Sequence, residues 1–156
     1  MQRINPQIKT ERTQLLQALA EFRHQLRSFL QFSEQASHGA NLHPQQHQLL
    51  LQVAGVHDGV PATIAYAAER LGLRHHSAVE LVNRSVAEGL LTRTEDPEDG
   101  RRVLLVITAK GRRILDSLSE YHVRELRELG PRLVRALNHI EQLERAPSRA
   151  AQRSQA

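Results

Sequence analysis

Residues 92–111 read TRTEDPEDGRRVLLVITAKG, and the fold turns on how this stretch is parsed. Thr92 to Glu95 has the composition of a short strand. Asp96-Pro97-Glu98-Asp99-Gly100 is dense in turn formers, because proline presets one backbone angle and aspartate bonds its own backbone. Arg101 and Arg102 then lead into Val103-Leu104-Leu105-Val106-Ile107, a β-branched run that predicts a second strand. Two strands about such a turn make a hairpin with adjacent arginines beside its tip. Thr108 stands where a helix N-cap belongs, ahead of Ala109-Lys110-Gly111 and a helical pattern.

The chain around this hairpin has 156 residues, enough for one domain with a core or for a small domain with an oligomerising extension. Aromatic residues make up only 3%, so the core must be aliphatic. The formal net charge of +4 favours a polyanionic partner. There is no cysteine, which excludes a disulfide framework, a thiolate zinc site and a cysteine redox switch. No apolar run approaches the roughly 20 residues that span a bilayer. The opening MQRINPQIKTERTQ lacks the apolar segment of a signal peptide. These features predict a cytoplasmic protein with no membrane partner.

Upstream, Asn5-Pro6 resembles an N-cap with proline at the first helical position. Leu15, Leu19, Phe22, Leu26 and Phe29 recur in steps of four and three, one stripe of a long helix that Leu16, Leu30 and Phe32 widen. The stripe resembles a coiled-coil seam and predicts self-association. Gly39 is the expected C-terminal cap. A second helix starts at Leu42-His43-Pro44 and is broken between Gly55 and Pro61. A short alanine-rich helix over 62–71, a tight turn at Gly72 and a helix over 75–88 capped by Gly89 make a helix-turn-helix. Ala78, Val79, Leu81, Val82 and Val86 supply the buried face of its second helix. His75, His76, Ser77, Glu80, Asn83 and Arg84 are left exposed, and such donors and acceptors suit base-edge reading in a major groove.

Downstream, Leu115 to Leu143 keep a helical period. Gly130-Pro131 predicts a break into two helices, because proline cannot continue the hydrogen-bond ladder. The tail from Ala146 has no aliphatic residue beyond alanine and is expected to be disordered.

A hairpin directly after a helix-turn-helix is a winged helix. The sequence resembles the MarR-type transcriptional regulators. The likeness rests on Leu42-His43-Pro44-Gln45-Gln46, on the helix-turn-helix from Ala65 to Leu91, and above all on GLLTRTEDPEDGRRVLLVITAKG from Gly89 to Gly111. It departs from the family at Ser85, where a leucine is usual, and at Arg74, His75 and His76. The resemblance implies a mainly α fold with a small β-hairpin wing, a winged helix-turn-helix with N- and C-terminal dimerisation helices. Residues 1–41 form the N-terminal dimerisation helix, 42–111 the DNA-binding domain, 112–145 the C-terminal dimerisation helices and 146–156 the tail. It also implies a homodimer, a pseudo-palindromic operator in double-stranded DNA, and a repressor released by a small-molecule effector.

Within that frame Arg101 is the expected minor-groove residue, with Arg102 on phosphate or paired with an acid. Asp99 either orients an arginine, Arg84 or Arg101, or simply forms the turn. His76, Ser77 and Asn83 are candidates for base or phosphate contacts, alongside Arg84. Arg74 and His75 fall at the helix start and suit the backbone. Ser77 has helix capping as its structural alternative. Arg112 and Arg113 suit phosphate or a solvated face.

Two further readings exist. The acids among the wing arginines fit a helical dimeric module that binds a protein partner without DNA. His43 and His47, spaced i, i+4, with His122 as a third candidate, fit a metal-responsive regulator of the same fold. The N-cap position of His43 opposes this, and no metal is predicted. Phosphate loops, nucleophile elbows and metal-hydrolase motifs are lacking, so neither an enzyme nor a cofactor is expected.

Overall fold

The computed structural model describes residues 6–145. The chain runs α1 (Pro6–Gly39), α2 (Pro44–Ala54), α3 (Ile64–Leu71), α4 (His75–Ala87), β1 (Leu91–Glu95), β2 (Val103–Ile107) and α5 (Ala109–Arg145). It is mostly helical with one two-stranded antiparallel hairpin, as the sequence predicts. Residues 33–122 form one compact unit, and the outer parts of α1 and α5, up to Phe32 and from Val123, form a second. Among the described residues no helix is long and apolar enough to cross a membrane. The expected cap at Asn5 and the tail from Ala146 lie outside the described residues.

The 33–122 unit has an aliphatic core. Leu49, Leu50 and Val53 of α2 meet Ala67 of α3, Leu81 and Val82 of α4, Leu91 of β1, Leu105 of β2, and Leu115 and Leu118 of α5. Low aromatic content is accommodated by close helix approach over alanine and by branched side chains that interdigitate. The hairpin pairs Leu91 with Ile107, Arg93 with Leu105 and Glu95 with Val103. Of the apolar run 103–107, only Leu105 is buried, while Val103 and Val106 are exposed. Their β-branching favours the extended backbone without a core to fill. Leu105 N–H also donates to the Ala62 carbonyl at 2.8 Å, which ties the middle of β2 to the segment ahead of α3.

Local chemistry sets the helix limits. His43 caps α2 in a capping box: its Nδ1 accepts from Gln45 N–H at 3.2 Å, and Gln46 Oε1 accepts from His43 N–H at 3.2 Å. Thr63 Oγ1 caps α3 by accepting from Tyr66 N–H at 3.1 Å. Three helices end alike, in a Schellman motif. Asn41, Gly72 and Gly89 have positive φ. The N–H of the next residue reaches back to a carbonyl five residues earlier: Leu42 to Ser37, Leu73 to Ala68 and Leu90 to Ser85, each at 2.9 Å. Gly39 is thus the last residue of α1 and Asn41 carries the left-handed turn, a correction to the expected cap. Asparagine tolerates that conformation better than other non-glycine residues.

Two expectations about the long helices need correction. α5 passes through Pro131 as one helix rather than breaking there. Proline's φ is already helical, and part of the resistance to it comes from the residue before it, through its Cβ. Here that residue is Gly130, which has none. In α1 the expected single stripe divides into two. Ala18 and Gln25 are buried and Leu15, Phe22 and Phe29 half-buried, whereas Leu16, Leu19, Leu26 and Leu30 face outward.

Candidate nucleic-acid interface

The exposed surface of α4 begins at its N-terminus. Arg74 occupies the N-cap position without capping through its side chain, so its guanidinium stays available. His75 and His76 follow, exposed, and Ser77, half-buried, is the third helical residue rather than the cap. Glu80, Asn83 and Arg84 continue the exposed side, while Ala78, Leu81, Val82 and Ser85 are buried. Ser85 is fully buried, and its hydroxyl donates to the Leu81 carbonyl at 2.8 Å. Where a leucine would fill volume, the small side chain bonds its own helix and leaves no orphaned polar group.

The hairpin turn separates the two adjacent arginines. Asp96 is buried, and its Oδ1 accepts from Glu98 N–H at 2.9 Å while its Oδ2 lies 3.0 Å from Arg102 Nε. Asp99 Oδ2 lies 3.4 Å from the same Nε, and Asp99 Oδ1 accepts from Arg101 N–H at 3.1 Å. Arg102 Nε makes no aligned hydrogen bond, so its attachment is an ion pair with two carboxylates. Asp96 N–H donates to the Arg102 carbonyl at 3.1 Å and Arg102 N–H to the Asp99 carbonyl at 2.8 Å, closing the loop. Arg102 therefore faces the acids, and Arg101 projects from the tip into solvent. Asp99 pairs with Arg102, not with Arg84 or the Arg101 guanidinium, and also forms the turn.

Arg93 of β1 reaches across to α4, where its Nη2 donates to Asn83 Oδ1 at 2.6 Å. The sequence places Arg93 in a strand and Asp96 in a turn, but signals neither contact. Arg93 sits on an exposed strand position whose direction follows from register, and Asp96 resembles any turn-forming aspartate until its burial is known.

The hairpin is joined to α5 by a compact corner. Thr108 Oγ1 donates to the Gly89 carbonyl at 2.6 Å and accepts from Gly111 N–H at 3.1 Å, so it caps α5 as predicted. Thr108 N–H donates to the Leu90 carbonyl at 3.1 Å, and Lys110 Nζ to the Glu88 carbonyl at 2.8 Å. A Cβ at position 111 would stand 2.3 Å from the Leu90 carbonyl oxygen, so only glycine fits this corner. Arg112 and Arg113 are exposed just beyond it.

The 33–122 unit also holds a histidine pair. His47 and His122 rings lie 4.8 Å apart between centroids. His122 Nδ1 bonds the Leu118 carbonyl at 2.6 Å, so that nitrogen carries the proton, and Nε2 meets Ser33 Oγ at 2.8 Å. His47 is buried with Nδ1 unpartnered. Burial, then the neighbouring His122, lower its pKa to about 4. His43 is occupied as the α2 cap, and among the described residues no three His, Asp or Glu side chains group as a metal site. A cleft of about 370 Å³ lies nearby, lined by Ala36, Gly39, Ala40, Ser117, Leu118 and Tyr121.

The sequence pattern of the MarR family matches residues 40–102, the span from the cap of α2 to the end of the wing turn. None of the curated proteins matches the sequence. Among solved structures, a MarR family transcription regulator superposes with a TM-score of 0.70 at 19% identity, covering 96% of this chain and 99% of that one. Staphylococcus aureus MepR in its DNA complex gives 0.57 at 18% identity, covering 84% and 95%. Rhodococcus jostii CouR bound to p-coumaroyl-CoA gives 0.50 at 24% identity, covering 82% and 79%. The family's pattern thus falls on the helix-turn-helix and wing, residues 40–102, and the fold shared with MarR family transcription regulators extends into both long helices.

Proposed function

We propose that the protein is a homodimeric, ligand-responsive DNA-binding repressor. The observation that carries this reading is the joint exposure of the α4 surface and the unpaired Arg101 beside it. α4 offers Arg74, His75, His76, Asn83 and Arg84 to a major groove. Arg101 enters the adjacent minor groove, where a narrow groove deepens the negative potential. Arg102, held by Asp96 and Asp99, fixes the wing tip and contributes only distant charge.

The homodimer is supported by the outward leucines of α1 together with Leu126, Val134 and Leu137 of α5, all exposed in the single chain. The cleft between the end of α1 and α5 has the size of a small-molecule site and suits an effector with an aromatic or apolar body. MepR's complex with DNA and CouR's with p-coumaroyl-CoA make both kinds of partner reasonable for this fold.

A gel-shift titration on DNA upstream of its own gene tests the proposal. Binding should weaken steeply with salt, and Arg101→Ala should weaken it by roughly tenfold. Arg145→Ala, at the far end of α5, should leave it unchanged. Equal effects of the two substitutions would remove the wing from the interface, and salt-insensitive or absent binding would favour the protein-partner module instead.

A further inference from the structure

The contact between Arg93 and Asn83 is the least expected feature of the interface, since it joins the wing to the reading helix through side chains alone. Arginine has only donors, so the asparagine atom facing it must be the carbonyl oxygen. The chemistry thereby fixes the amide orientation, which is otherwise ambiguous for asparagine. With Oδ1 turned toward β1 at 2.6 Å from Arg93 Nη2, the Nδ2 amino group points about 120° away from it, on an exposed residue.

We infer that Arg93 is a specificity-determining positioning residue that holds Asn83 as a hydrogen-bond donor toward DNA. Asparagine reads adenine by a fork in which Oδ1 accepts from N6 while Nδ2 donates to N7. That fork needs both atoms on one base edge. Here Oδ1 is drawn aside, and an adenine amino group approaching it would bring its own protons against the guanidinium. The remaining amino group suits adjacent acceptors, namely O6 and N7 of guanine, or O4 of thymine. Arg93 thus converts an adenine-reading residue into one that prefers guanine or thymine, without itself touching a base.

The inference rests on the DNA-binding reading, and one experiment separates the two. The full-length wild type, Asn83→Ala, Arg93→Ala and Arg93→Lys are each used to select from a pool of randomised duplexes. Wild type should select a motif, and Asn83→Ala should flatten one position in each half-site. At that position Arg93→Ala should raise adenine about tenfold relative to guanine and thymine, because the freed amide can fork. Arg93→Lys keeps a donor and should keep the wild-type preference. If wild type selects no motif, the DNA-binding reading itself fails. If Arg93→Ala selects the wild-type base at that position, the inference is overturned. The same holds if it only weakens binding equally to all sequences with a shallower salt dependence, since Arg93 would then be a phosphate contact.

Discussion

Protonating the buried His47 sets a charge beside His122 without a partner for its Nδ1. Its pKa is lowered to about 4 in the fold, against about 6.5 in an unfolded chain. Because the folded value is depressed, the unfolded state binds the proton first as pH falls. Stability is therefore full above about pH 6.5 and declines toward pH 4, by about 3 kcal/mol in total. Urea midpoints at pH 7.5 and 4.5 should show that loss in the wild type and a much smaller one in His47→Gln; equal losses would absolve His47. At this scale the sequence was readable in part. It showed two adjacent arginines but not which one faces the acids, because side-chain direction along a hairpin depends on turn length and on the burial of Asp96. It showed histidines on α2, but the partner of His47 comes from 75 positions away, as only the tertiary fold could reveal.

Elements whose limits rest on local chemistry were legible. The capping of α2 by His43 and of α5 by Thr108 needs only neighbours within three residues, and both follow from the sequence. The strand β2 follows from its β-branched run. The end of α1 and the course of α5 were not legible, since several residues there could serve and packing chooses among them. Pro131 is exposed in a continuous helix, with no N–H to give the ladder. Pro131→Ala should restore that bond and relieve the ring's clash with the preceding turn, a gain of up to about 3 kcal/mol. A higher Tm and greater helical circular dichroism are the expected result. An unchanged or lower Tm would mean that proline's restraint of the backbone offsets the missing bond.

For the whole molecule, the two faces of α1 carry the sharpest consequence. One face packs within the chain, and the other leaves Leu16 59% exposed. In the proposed homodimer a second copy covers that face and Leu137 of α5. Sedimentation should give twice the chain mass at micromolar concentration, and Leu16→Glu with Leu137→Glu should halve it. A wild type that sediments as a single chain would refute the dimer. The apolar period predicted a seam, but not that it would divide into an inward and an outward row, because the sequence does not say which neighbour each row meets. The joints of the winged helix invite a last observation. Leu105 to Ala62, Thr108 to Leu90 and Asp96 to Arg102 are joined main chain to main chain, and the α5 corner asks for glycine alone at 111. Such joints are indifferent to most side chains. Exposed residues on α4 and the wing can therefore drift over evolutionary time while the scaffold persists, and a fold shared at only 19% identity is the outcome this permits.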